Sequence, residues 1–186
     1  MLDARIIRTT QALEQAVLAM AATMPASRIS VSQLCSRARV TRRTFYNRFD
    51  TPVQVLAQVL RRDLAELAVD DSHRGTRSEE SPEVLLRLAN SAIVDHVLRY
   101  REVYRQALLA SDAGVFEVLV DHFVDYSTAF IRRSSALTLP DAGIDLVAQF
   151  VSHGFAGAIK AWLRDPVITR EVLEEAVAVV APAWWK

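Results

Sequence analysis

An all-α fold is predicted by three features of the sequence. Apolar residues recur at helical rather than strand spacing, the five glycines and six prolines of the 186 residues are thinly scattered, and no run alternates apolar with polar side chains. The expected architecture is an N-terminal three-helix head with a helix-turn-helix, joined by a linking helix to a helical body. With 51% hydrophobic and 24% charged residues, a chain of this length can bury a substantial core.

The head is read in order. From about Thr9 to Met24, Leu13, Val17, Met20 and Met24 fall on one side of a helix, which Pro25 ends. Ser30 stands at an N-cap position with Gln33 three residues on, the spacing of a capping box, and Ile29 with Leu34 can form the hydrophobic staple beside it. Val31, Leu34, Cys35 and Ala38 then make a buried stripe about two turns long. Thr41 repeats the signature, with Val40 before it and Phe45 four residues after, for a helix ending near Phe49. Two short capped helices joined tightly are a helix-turn-helix.

If Phe45 and Phe49 face inward, Arg43, Tyr46 and Asn47 face outward, with Arg42 and Arg48 on the flanks. That face suits duplex DNA: arginine can fork onto guanine, asparagine onto adenine, and tyrosine or arginine can reach phosphate. The candidate contact residues are Ser32, Thr41, Arg42, Arg43, Thr44, Tyr46, Asn47 and Arg48. The competing account, a merely solvated charged face, is the commoner fate of an isolated polar helix surface.

The formal net charge of zero hides a division near Leu64. Residues 1–64 carry ten arginines against Asp3, Glu14, Asp50 and Asp63, a surplus of six positive charges, and the remainder carries the matching negative surplus. A basic head on an acidic body concentrates phosphate affinity at one end. The N-terminus lacks an apolar segment of signal-peptide length and no apolar run approaches the roughly 20 residues of a membrane span, so the expectation is a cytoplasmic protein with no membrane partner. A single cysteine, Cys35, fits a reducing compartment.

Residues 5 to 62 resemble the N-terminal domain of the TetR family of bacterial transcriptional regulators. The strongest match is VTRRTFYNRF, residues 40–49, in which Val40, Thr41, Arg42, Thr44, Tyr46 and Phe49 follow the family pattern, and ISVSQLCSRA before it fits the family's second helix. The resemblance implies a dimeric, ligand-responsive regulator, a repressor that leaves a palindromic DNA operator when a small-molecule effector binds. Three positions depart from the pattern. Arg39 stands where the family usually has a turn glycine, which predicts left-handed backbone at a cost of about 1–2 kcal/mol. Arg48 replaces the usual histidine, and Pro52 replaces a basic residue, so the phosphate contact of that last position is not carried over.

The domain boundaries read as a helix-turn-helix domain over 1–50, a linking helix over 51–68 with Leu56, Leu60, Leu64 and Leu67 on one face, a polar loop over 69–82, and a helical regulatory and dimerisation domain over 83–186. Helices are expected at roughly 82–100, 101–110, 115–133, 141–164 and 169–181. In the first of these Leu85, Ala89, Ala92, Ile93, His96, Val97 and Tyr100 share a stripe, and in the third Phe116, Leu119, Val120, Phe123, Tyr126, Ser127 and Phe130 do so. Core packing accounts for most such residues. The polar members leave room for a small-molecule site at His96, Tyr100, Phe123 and Tyr126.

Segment 141–164 is apolar on two sides, with Ile144, Val147, Val151, Phe155, Ala158 and Trp162 on one and Leu146, Phe150, Gly157 and Ala161 on the other. Together with 169–181 it is the expected homodimer surface, and Gly154 and Gly157 suggest that another helix crosses closely. A two-fold dimer would set two reading helices about 34 Å apart.

No enzyme chemistry, cofactor or metal site is expected. A metal-carboxylate bundle needs Glu-x-x-His pairs, and none of His73, His96, His122 or His153 has a glutamate three residues earlier. The alternatives are an all-helical enzyme and a helical interaction module without DNA binding.

Overall fold

A computed structural model describes residues 4–77, 82–110, 112–133 and 140–180. Among these the secondary structure is helical throughout: α1 (Ala4–Ala21), α2 (Val31–Ala38), α3 (Arg42–Tyr46), α4 (Pro52–Arg77), α5 (Pro82–Arg99), α6 (Arg101–Leu109), α7 (Ala113–Arg133), α8 (Asp141–Arg164) and α9 (Arg170–Val180), with a single 3-10 turn at Ala26–Arg28. The chain divides into two compact units, Met1–Arg61 with Tyr100–Phe116, and Arg62–Arg99 with Glu117–Lys186.

The first unit is built on the predicted stripes. Leu13, Val17 and Met20 of α1, Leu34 and Cys35 of α2, Phe45 of α3 and Phe49 just beyond it are all buried, as are Leu56 and Leu60 of α4. Each short helix starts where its cap demands. The Ser30 hydroxyl accepts from the Gln33 amide at 3.2 Å while the Gln33 side chain accepts from the Ser30 amide at 2.9 Å, so both orphan donors are satisfied. The Thr41 hydroxyl accepts from the Thr44 amide at 3.2 Å. For α4, Thr51 accepts from the Gln54 amide at 3.2 Å and Gln54 accepts from the Asp50 amide at 2.7 Å, with Pro52 at the first helical position, where its missing N–H costs nothing.

The turn after α2 carries the predicted left-handed residue. Arg39 has φ 55° and ψ 41°, and among the described residues no other non-glycine position has positive φ. The Val40 amide reaches back to the Cys35 carbonyl at 2.9 Å, which closes the helix end in the way glycine usually permits.

Two boundaries differ from the sequence reading. α4 does not stop at 68 but continues to Arg77, through residues 69–77 that their polar composition assigned to a loop; His73 therefore lies in a helix, and only 78–81 of that stretch fall outside the described residues. A polar run with one glycine does not break a helix that is already nucleated and growing from a long apolar stretch.

The second difference is α6, which groups with the first unit rather than with the rest of 83–186. Val103, Tyr104 and Ala107 are buried, Tyr104 stacks on Phe116 with ring centroids 5.4 Å apart, and the Ser27 amide donates to Asp112 at 3.3 Å. Those contacts span up to 85 positions of sequence, so local periodicity could not reveal them.

The second unit packs α5, α7, α8 and α9. Ile93, His96 and Val97 of α5, Leu119, Val120, Phe123 and Ser127 of α7, and Ile144, Val151, Phe155 and Trp162 of α8 are buried as their stripes predict, and Phe123 meets Phe155 at 5.6 Å. The side chains of Leu85 and Ala89 lie outside the described residues. Leu173 and Val177 bury the inner face of α9. Arg170 fastens that helix to α5 by donating to Asp95 at 2.6 Å and to the Ser91 carbonyl at 3.3 Å.

Candidate nucleic-acid interface

Phe45 fixes the orientation of α3. Its ring is fully buried and lies 6.0 Å from that of Phe49, so one side of this short helix is committed to the core. At 100° per residue the remaining side chains have no choice of direction. Thr41, Arg42, Arg43, Tyr46, Asn47 and Arg48 are exposed, Thr44 is half-buried, and Ser32 on α2 is exposed. Tyr46 is 58% exposed and its ring stands edge-on to Phe45 at 5.4 Å, which leaves the hydroxyl in solvent while the ring is held in place.

These side chains are not equally available. Thr41 is occupied as a cap, and its oxygen also lies 2.8 Å from the Thr44 hydroxyl. Arg48 leans back toward α1, its guanidinium 3.4 Å from the Ile6 carbonyl, so it is partly engaged within the unit. Arg42 and Arg43 make no hydrogen bond or ion pair among the described residues, and Asn47 closes α3 through its backbone, which leaves its amide free to read.

The electrostatics are one-sided. Between Glu14 and Asp50 the chain has six arginines, at 28, 37, 39, 42, 43 and 48, and no carboxylate. Arg28, Arg37 and Arg39 are exposed and, like Arg42 and Arg43, have no hydrogen-bonding or ionic partner among the described residues. These three were absent from the predicted contact set. The signal that could have found them is the acid-free run itself, which leaves every arginine in it without a local counter-ion. Pro52, at the position where a basic residue was missed, is buried at the start of α4.

The four residues proposed for a small-molecule site are not brought together. In the second unit a partly open recess, about 320 Å³ including its mouth, is walled by Ile93, Phe123, Phe155, Ile159, Leu173 and Val177, with Asn90 and Glu174 as its polar members. Of the four, only Phe123 lines it. Tyr100 groups with the first unit, and Tyr126 is half-buried on α7.

His96 is buried and occupied: its Nδ1 lies 2.6 Å from one oxygen of Asp63, whose other oxygen accepts from Arg99 at 2.5 Å. Burial lowers its pKa despite the Asp63 hydrogen bond, so the neutral ring donates its Nδ1 proton to the carboxylate. Burial, helped by His96, lowers His122 to about 4 against the pull of Asp125.

No protein-family model matches the chain, and no curated protein matches it. Among the described residues, no helix is long and apolar enough to cross a membrane. A solved structure described as a dihydroxyacetone kinase operon activator, DhaS, is similar over 92% of this chain and 90% of its own, with a TM-score of 0.53 and 20% sequence identity. At that identity the likeness is one of fold, and the chain has the all-helical, TetR-like fold.

Proposed function

We propose that this chain is a DNA-binding transcriptional regulator and not an enzyme, whose outer α3 face reads the major groove. The observation that carries the reading is the combination on one small unit of exposed Arg42, Arg43, Tyr46 and Asn47, backed by buried Phe45, within a segment free of carboxylates. Arg43, Tyr46 and Asn47 serve the groove and its edges, and Arg42 and Arg48 serve phosphate. The name of the structural neighbour, an operon activator, supports a regulatory role for this fold.

The regulator acts as a homodimer through α8 and α9. Leu146 and Phe150 on α8 are 73% and 82% exposed, and Val172, Val179 and Val180 on α9 are exposed beside them in number rather than singly. Gly154 and Gly157 meet nothing within 4 Å of where a Cβ would stand, so no helix of the same chain crosses there. A second copy supplies the close-crossing helix that the two glycines call for. Two heads about one turn of DNA apart then require a palindromic operator.

A small apolar effector enters the second unit at the recess lined by Phe123 and Phe155 and favours a dimer state that does not match the operator spacing. Linkage requires that DNA weaken effector binding by the same factor. The neighbour is named as an activator, whereas repression relieved by the effector is proposed here, and a reporter gene under the chain's own promoter decides the sign.

The central test is a gel-shift titration at low salt against the region upstream of the coding sequence. The double substitution Arg43→Ala with Tyr46→Ala is expected to lower affinity at least a hundredfold, at roughly 1–3 kcal/mol for each lost contact, while leaving thermal unfolding unchanged because both side chains are exposed. Absence of binding to any palindrome by the unsubstituted protein sinks the proposal.

A further inference from the structure

We propose that Arg39 is a phosphate-positioning residue of the head, held outward in the turn between α2 and α3 by a left-handed backbone that glycine would adopt without strain. The inference rests on the DNA-binding reading above. Three observations carry it.

Arg39 has φ 55° and ψ 41°, and no other non-glycine residue among those described has positive φ. Strained backbone persists only where something compensates for it, and it gathers at functional positions. Its side chain is exposed and makes no hydrogen bond or ion pair among the described residues. It also lies three positions before Arg42 in the segment from 15 to 49, which contains no carboxylate to neutralise it.

The plain alternative is that Arg39 serves the end of α2, where a cation favours the helix dipole and can bond the last carbonyls. The geometry speaks against it. Those carbonyls are served by backbone, with the Cys35 oxygen taken by the Val40 amide at 2.9 Å and the Ser36 oxygen by the amide of Arg39 itself at 3.3 Å, and the guanidinium touches neither. What remains for it is an anion outside the protein, and the phosphates flanking the groove that α3 faces are the anions of that reading.

A phosphate contact has a signature that a base contact lacks: it weakens binding equally on all sequences and contributes to the salt dependence. The experiment compares the full-length protein with Arg39→Gly and Arg39→Lys, by fluorescence anisotropy, on a labelled duplex from the region upstream of the coding sequence and on a shuffled duplex of the same composition. Arg39→Gly is expected to weaken both duplexes alike, by roughly tenfold at low salt, and to make the slope of log K against log salt shallower by about 0.9 for each Arg39 engaged. Arg39→Lys restores affinity and slope. The melting temperature of Arg39→Gly does not fall, because glycine takes the left-handed position freely.

An unchanged affinity and salt slope in Arg39→Gly overturns the proposal. So does a fall in melting temperature accompanied by lost binding that lysine does not restore, since that marks a structural cap. Failure of the unsubstituted protein to bind either duplex overturns the DNA-binding reading itself, which is a different result from binding that is indifferent to position 39.

Discussion

The two units expose opposite kinds of unsatisfied surface. The first turns out arginines with no carboxylate near them in sequence, at 28, 37, 39, 42 and 43, around a core of leucine, valine and phenylalanine. The second pairs its arginines, Arg99 with Asp63 and Arg170 with Asp95 and Glu174, and turns out hydrocarbon instead, in Leu146 and Phe150. Each surface calls for a partner of its own chemistry, a polyanion for the first and a second apolar face for the other. Salt should separate them, since it screens the one and leaves the other intact or strengthened.

The sharpest way to break that contrast is Phe150→Glu. In sedimentation equilibrium it is expected to turn a dimer into a monomer, and raising salt should not dissociate the unsubstituted protein although it weakens DNA binding by orders of magnitude. A monomer at all concentrations before substitution removes the second half of the comparison.

A smaller effect comes from the polar groups buried in the second unit. His96 and His122 bind a proton less readily folded than unfolded, so their contribution to stability is complete above the ordinary imidazole value of 6.5 and is lost as pH falls below it, down to about 4 for His122. Between pH 7 and pH 5 we expect a loss on the order of 1–2 kcal/mol, read by chemical denaturation, and His122→Gln should flatten part of it. An equally steep profile in that variant would assign the loss to other groups.

The smallest effect tests the arginines directly. Arg170→Ala should cost about 1 kcal/mol, since its charge-assisted bonds fasten α9 to α5 in a partly exposed setting. Arg42→Ala, at an exposed side chain with no such bonds, should stay within about 0.5 kcal/mol. Equal costs at the two positions would mean that the head's arginines serve its fold.

The head was legible because its signals are short-ranged. Ser30 with Gln33, Thr41 with Phe45, and Thr51 with Pro52 each sit within one turn, so caps and staples could be read from spacing and are found in place. The two faces of α8 were legible for the same reason, and Ile144, Val151 and Phe155 are buried where Leu146 and Phe150 are not. The end of α4 was misread because polarity alone stood in for a helix stop, and no capping glycine or proline interrupts the stretch before Pro82 except Gly75. The proposed effector residues show where spacing fails. Phe123 and His96 share the property of facing inward, but one lines a recess while the other is held by an aspartate 33 positions away.

Helical class, the order of elements, the inward face of each helix and the basic character of residues 15–49 are determined by the sequence by itself. Periodicity, caps and net charge act over a turn or two and need no fold to be evaluated. Tertiary structure alone decided that α6 belongs with the first unit, that His96 pairs with Asp63, that Gly154 and Gly157 face open space, and which arginines keep their charge unpaired. Those outcomes depend on which distant helices meet, and side chains of the same type and local pattern end in different environments according to that meeting.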